Sequence, residues 1–369
     1  ISHPAVASAD TTYRSFDGTG DWRHGTAVAG VVADTAPSAD LRLAAVGAST
    51  SVEEYREAVD WLLAGGADVV VDSGSYYAQP GDGTGALAGV ASNASERAVF
   101  VTSVGNHATR YWAGNYTDGE LVNFADGYQG NYLNDGQPFS GTVDVSVRWS
   151  GWPETDADFD IQLWRVGPNG RYQFAEADGH DGQPFEHLTT RVPRGRYFVS
   201  VSATNVSEPT RVEVFASHSL ANRTSGGTAA PASAEGVVAV GAVDNGTVRS
   251  FSARTNVDLV APDAVSLAGA SVGGGTSFAA PYVAGVAALV TEAAPDLNAT
   301  EVRDRLYANA TDLGAAGVDE ASGYGLVSAV GVLATDDAAV GTEAASAGNG
   351  TAVATHALAA QAEVEAQGA

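Results

Sequence analysis

The sequence predicts an α/β core, a parallel sheet with helices on both faces, plus an inserted antiparallel β-sandwich. Three observations carry this. Residues 1–113 alternate short apolar runs with amphipathic segments. Residues 114–225 switch to period-two alternation broken by Gly, Pro and Asn turns. A long run of small apolar residues, 278–293, then follows a glycine-rich turn. Alternating strand and helix patterns imply parallel pairing, and period-two runs between turns imply antiparallel pairing.

In chain order, HGTAVAG opens a small-residue helix over 24–33. LRLAAV (41–46) reads as a buried strand. Residues 52–66 read as an amphipathic helix with Tyr55, Val59 and Leu62 on one face and glycines at its end. ADVVVD (67–72) is a second strand, 85–97 a helix, and 98–104 a strand ending in Gly105-Asn106. Ligands of such sheets bind beyond the carboxyl ends of the strands, where Asn106 lies.

Within 114–225, Val143, Val145, Val147 and Trp149 share one phase, as do Phe159, Ile161 and Leu163, and then Tyr197, Val199 and Val201. These are the half-buried strands of a β-sandwich. The α/β pattern resumes over 226–334. Beyond it, 335–369 collapses into Ala, Gly, Thr, Glu and Asp and reads as a disordered tail.

The net charge is −26, and all 18 basic residues are arginine. No basic patch is available to neutralise phosphates, which excludes nucleic acid as a partner. So acidic a surface suits high salt, where self-repulsion is screened, and points to a halophilic, haloarchaeal-type source. There are no cysteines and hence no disulfides. No run of 18 apolar residues is present to span a membrane. Eight N-x-[ST] sequons, from Asn93 to Asn349, favour export.

Three residues suggest nucleophilic catalysis. Ser277, in GGTSFAAP, sits at the start of a helix whose N-terminus favours developing negative charge. His24 is a candidate base and the Asn106 amide a candidate oxyanion donor. Singly, each has a plainer reading: an N-cap, a structural histidine and a turn. Their order along the chain, each at the edge of a regular element, argues for the joint reading.

On HGTAVAG, SVGN and GGTSFAAPYVAGVAAL, with VVAVGAVDNGTVRSFSARTNVDLVAP and GYGLVSAVGVL in support, the chain resembles the subtilisin-like serine proteases. The resemblance covers most of 1–112 and 226–334. It implies His24 as general base, Ser277 as nucleophile and Asn106 in the oxyanion hole. It further implies Ser73, Gly74 and Ser75 as the edge that pairs with substrate, and Ser103, Val104 and Gly105 as the lining of the specificity pocket. Ser75 stands where many relatives have glycine. The inserted sandwich is similar to pre-peptidase C-terminal modules. By family position the triad aspartate precedes the pair His3-Pro4, so it and the first core strand are expected before residue 1. Asp10, Asp17 and Asp21 are the acids available ahead of His24, in a loop context.

The activity implied is peptide-bond hydrolysis in high salt by a secreted or cell-surface monomer acting on proteins or peptides. A catalytically impaired binding protein is the alternative, since loss of the triad acid costs about 10⁴ in rate. An esterase needs a G-x-S-x-G elbow, which G-T-S-F-A is not. No cofactor is expected. Structural calcium is compatible with ETDADFD (154–160), although that loop lacks the calcium-loop glycine and distal glutamate.

Overall fold

The computed structural model describes residues 6, 11–16, 22–47, 50–179, 182–267, 270–272, 274–337 and 352–358. In chain order the elements are β1 (Thr11–Ser15), α1 (Trp22–Thr35), β2 (Asp40–Val46), α2 (Val52–Ala64), β3 (Val69–Asp72), α3 (Ala86–Ser95) and β4 (Val99–Ser103). There follow β5 (Tyr111–Tyr116), β6 (Asn131–Tyr132), β7 (Phe139–Trp149), β8 (Asp158–Gly167), β9 (Gly170–Ala177), β10 (Phe185–Thr204) and β11 (Thr210–Ala216). The chain continues with β12 (Val238–Asp244), β13 (Thr247–Val248), β14 (Leu259–Pro262), β15 (Val265–Leu267) and β16 (Ala270–Val272). It ends with α4 (Thr276–Ala293), α5 (Ala299–Ala308), α6 (Ala329–Asp337) and β17 (Ala352–Leu358).

Two compact units result. The first draws on residues 1–76, 82–105 and 228–362, and the second on 77–81 and 106–227.

The first unit is a sheet of order β1-β2-β17-β3-β4-β12-β13, with β14 also on β12. Its pairings are parallel except for the β12–β13 hairpin. Alternate strand residues face opposite layers, as a period of two requires. Leu41, Leu43, Val69, Val71, Val99 and Val101 pack with α1, α4 and α5. Ala44, Val46, Val70 and Phe100 pack with Tyr55, Leu62, Leu87 and Ala91 of α2 and α3. The predicted face of α2 is the buried one, and a capping box between Ser51 and Glu54 starts that helix. Helix α4 is buried on nearly every side, which its small, apolar composition permits.

Within the expected disordered tail, residues 352–358 form a strand. Although β2, α2 and β3 are consecutive, β2 and β3 are not neighbours. Strand β17 lies between them, parallel to both, with Thr355 opposite Leu43 on one side and Val71 on the other. An interior place in a parallel sheet leaves N–H and C=O groups on both flanking strands that require a partner, and AVATHAL supplies one.

The second unit is antiparallel, in the order β5-β11-β7-β10-β8-β9. The long β10 serves three partners, one of them the short β6, which pairs with Phe198 and Val199. Residues 185–192 pair with β7 and residues 196–204 with β8, with a register shift between Val192 and Gly195. Val143, Val145, Val147, Trp149, Phe159, Ile161, Leu163, Tyr197, Val199 and Val201, all in phase in the sequence, share one core.

Candidate active site

Ser277 is the second residue of α4. The helix cap is Gly275, whose position carries no side-chain cap bond, so the plain N-cap reading of the serine does not hold. Its hydroxyl instead leaves the helix and donates to the carbonyl of Ser73 at 3.1 Å, and the residue is only 7% exposed. Ser73 directly follows β3. The nucleophile candidate therefore lies at the carboxyl end of a parallel strand, where such sheets bind ligands.

The expected substrate-binding residues converge on the same end of the sheet. Ser103 donates to the Gly74 carbonyl at 3.4 Å. The Val104 N–H donates to Val240 at 3.1 Å, and the Gly105 N–H to the Thr276 hydroxyl at 3.2 Å. Gly105 has φ of +102°, a left-handed conformation open to glycine, and its carbonyl accepts from the Ala253 N–H. Strand β4 is thus tied through its terminal glycine to the residue preceding Ser277. Ser75 continues the strand-end segment between Gly74 and Tyr76, and Tyr76 bridges to Ala230. Asn106 follows Gly105 and belongs to the second unit.

His24 lies in the first turn of α1, two residues inside a helix that begins at Trp22 rather than at the histidine. The ring is half-buried and packs at 5.8 Å, tilted, against Phe278, the neighbour of Ser277. Ala27 and Val31 of α1 also close on Phe278. Further along, a Cβ on Gly285 would fall 2.5 Å from Thr35. Contact of the start of α1 with the start of α4, and of the end of α1 with the middle of α4, means that the two helices run side by side in the same direction. Both N-termini, carrying His24 and Ser277, therefore open on one side. Asp10, Asp17, Asp21, His3 and Pro4 lie outside the described residues.

Two buried carboxylates brace this region, and the sequence reading passed over both. Asp72, at the end of β3, accepts from the Tyr55 hydroxyl at 2.7 Å and the Gly74 N–H at 2.8 Å. Burial pushes its pKa up to about 7, against the opposing pull of those two hydrogen bonds. Asp263, just after β14, is fully buried and accepts from Arg249 and from the Gly275 N–H. The available signal was similar in both: an acid ending an otherwise apolar strand in VVVD, and directly following one in LVAPD.

Within 154–160, Asp160 has its pKa raised to about 6, first by desolvation and then by Asp158 and Asp178. Among the described residues, no group of three or more His, Cys, Asp or Glu is arranged to hold a metal ion. Nor is any helix among them long and apolar enough to cross a membrane.

Parts of the chain are similar to known proteins. The sequence model of the Subtilase family matches residues 171–325, a stretch that includes Ser277. Over 118 residues the chain is 37% identical to the halolysin-like extracellular serine protease Nep of Natrialba magadii, covering 30% of this chain and 21% of that protein. Over 92 residues it is 44% identical to a subtilisin of Bacillus pumilus, covering 23% of this chain and 33% of that protein. These alignments span a third or less of the curated relatives' length. Among solved structures, the CspB protease of Clostridium perfringens superposes with a TM-score of 0.51 at 17% identity, covering 77% of this chain and 70% of that one. A lanthipeptide protease gives 0.50 at 18% identity, covering 90% and 84%. At these identities the structural likeness speaks to the fold.

Proposed function

From a chain that carries a subtilase-family domain, we propose a serine endopeptidase that hydrolyses peptide bonds through an acyl-enzyme in high salt. The observation that carries this is the position of Ser277. It lies at the buried N-terminus of α4, with its hydroxyl on Ser73 at the end of β3 and His24 opening on the same side.

In this reading His24 takes the Ser277 proton as the hydroxyl attacks the substrate carbonyl. The tetrahedral oxyanion is held by the backbone N–H of Ser277 and the Asn106 side-chain amide. One such donor contributes about 2.7–4 kcal/mol to the transition state. His24 then protonates the leaving amine, and water enters to release the acyl group. Ser73, Gly74 and Ser75 present the edge along which the substrate backbone lies, while Ser103, Val104 and Gly105 shape the pocket for the side chain at the cleaved bond. Likeness to an extracellular relative supports action outside the cell on protein or peptide substrates. The absence of lysine and the net charge of −26 support action in molar salt.

The test is labelling by a serine-directed fluorophosphonate in molar salt, with mass spectrometry locating the adduct, alongside casein or peptide turnover. Attachment at Ser277 and its loss in Ser277→Ala are expected. Folded protein that takes no label at Ser277 would overturn the reading.

A further inference from the structure

Strand β14 ends at Pro262, and α4 begins at Thr276. Between them the chain makes the hairpin β15–β16 and returns. Nothing in the local sequence fixes where that return delivers Ser277. The side chain of Asp263 bonds the two ends of the excursion together.

It is the first residue beyond β14 and is fully buried. One of its oxygens, Oδ2, accepts from the Gly275 N–H at 3.0 Å, so the exit of the excursion is bonded to its entry. Gly275 is the cap of α4, two residues before Ser277. The fit is close: a Cβ on the neighbouring Gly274 would come within 2.7 Å of that same oxygen.

The carboxylate is itself held. Arg249 Nε donates to Oδ1 at 2.9 Å and to Oδ2 at 3.2 Å, and a second arm of Arg249 meets Asp244 at 3.2 Å. Arg249 follows β13 and Asp244 ends β12, so the clamp is anchored to the sheet.

We propose that Asp263 is a positioning residue for Ser277, fixing the turn that starts α4 against the sheet while Arg249 supplies the compensating charge. The inference rests on the nucleophilic role given to Ser277 above. The pairing has a catalytic reason as well as a geometric one. A bare carboxylate this close to the start of α4 opposes an oxyanion forming there, and the guanidinium beside it offsets that charge. The bonds of Asp263 go to Arg249 and to the Gly275 N–H rather than to Ser277 itself. It acts through the Gly275 N–H on the direction of the helix start.

The test compares the whole chain in molar salt with Asp263→Ala, Asp263→Asn and Arg249→Gln, using two readouts. The first is amide hydrogen exchange across residues 274–280, which needs no activity. The second is the rate of fluorophosphonate labelling at Ser277, with kcat and KM on a small peptide. Asp263→Ala is expected to speed exchange at Gly275 and to lower the labelling rate and kcat at least tenfold, with KM within about twofold. Asp263→Asn, which keeps an acceptor, recovers part of the exchange protection. Arg249→Gln lowers kcat while Gly275 stays protected. If Asp263→Ala does not fold, Asp263→Asn and Arg249→Gln decide the matter. The proposal is overturned if folded variants melt earlier but keep wild-type exchange at 274–280 and a wild-type labelling rate. If the unsubstituted chain takes no label, the protease reading falls, and hydrogen exchange alone decides whether Asp263 sets the turn.

Discussion

The hydroxyl of Tyr55, on α2, donates to the carboxylate of Asp72, at the end of β3, and the other oxygen of that carboxylate holds the N–H of Gly74. A wholly buried acid thus joins a helix on one face of the sheet to the segment that carries Ser73, the acceptor of the Ser277 hydroxyl. Burial raises the Asp72 pKa from 3.8 to about 7.

The Asp72 contribution to stability is therefore expected to fall as pH rises through this window. Between about 4 and about 7 the folded state keeps a proton that the unfolded chain has released, so the slope of unfolding free energy with pH is negative. The contribution is fully present below pH 4 and lost above pH 7, on the order of 1.4 kcal/mol for each unit traversed. Asp258 and Asp160, both raised to about 6, add slopes of the same sign, whereas His107 and His218, lowered by burial to about 3 and about 4, add slopes of the opposite sign. The diagnostic is thus the difference between the unsubstituted chain and Asp72→Asn. Denaturant titrations from pH 4 to 8 should show the unsubstituted chain losing stability relative to the variant as pH rises. Parallel curves would remove Asp72 as the cause.

A Cβ on Gly285 of α4 would meet Thr35 of α1 at 2.5 Å, and the Thr35 hydroxyl is bonded back to Val31. Gly285→Leu forces the helices apart and is expected to cost about 1–3 kcal/mol. Because those helices carry His24 and Ser277, turnover of a small peptide should fall further than the loss of folded protein explains. Wild-type melting and wild-type turnover in this variant would mean that the crossing tolerates bulk.

Strand β17 occupies an interior place, so a proline there removes a ladder donor where edge strands alone tolerate the loss. Thr355→Pro is expected to lower the melting temperature and to speed hydrogen exchange in β2 and β3, including Leu43 and Val71. Unchanged protection in both strands would show that their pairing does not depend on residues 352–358.

The charge of −26 with no lysine sets a salt requirement. The Debye length is about 3 Å at 1 M and about 10 Å at 0.1 M, so repulsion among surface carboxylates grows on dilution. Thermal melts from 3 M to 0.1 M sodium chloride should move steadily downward. A melting temperature independent of salt would contradict the halophilic reading.

The sequence by itself determined what depends on near neighbours along the chain. The period of apolar residues marked β7, β8 and β10 in the second unit and the buried face of α2, because a period of two or 3.6 is a local property of the backbone. Glycine and small polar residues before apolar runs located the helix starts that bear His24 and Ser277 to within two residues. Only the tertiary structure decided which strand ends meet. Asp72 finds Tyr55 17 residues away, Asp263 finds Gly275 12 residues away, and Ser277 finds Ser73 204 residues away. Strand order creates these encounters, and no periodicity encodes strand order. The same holds for 352–358, whose composition reads as tail. What makes that segment a strand is the row of unpaired backbone groups on β2 and β3, a demand that exists only once the sheet has formed.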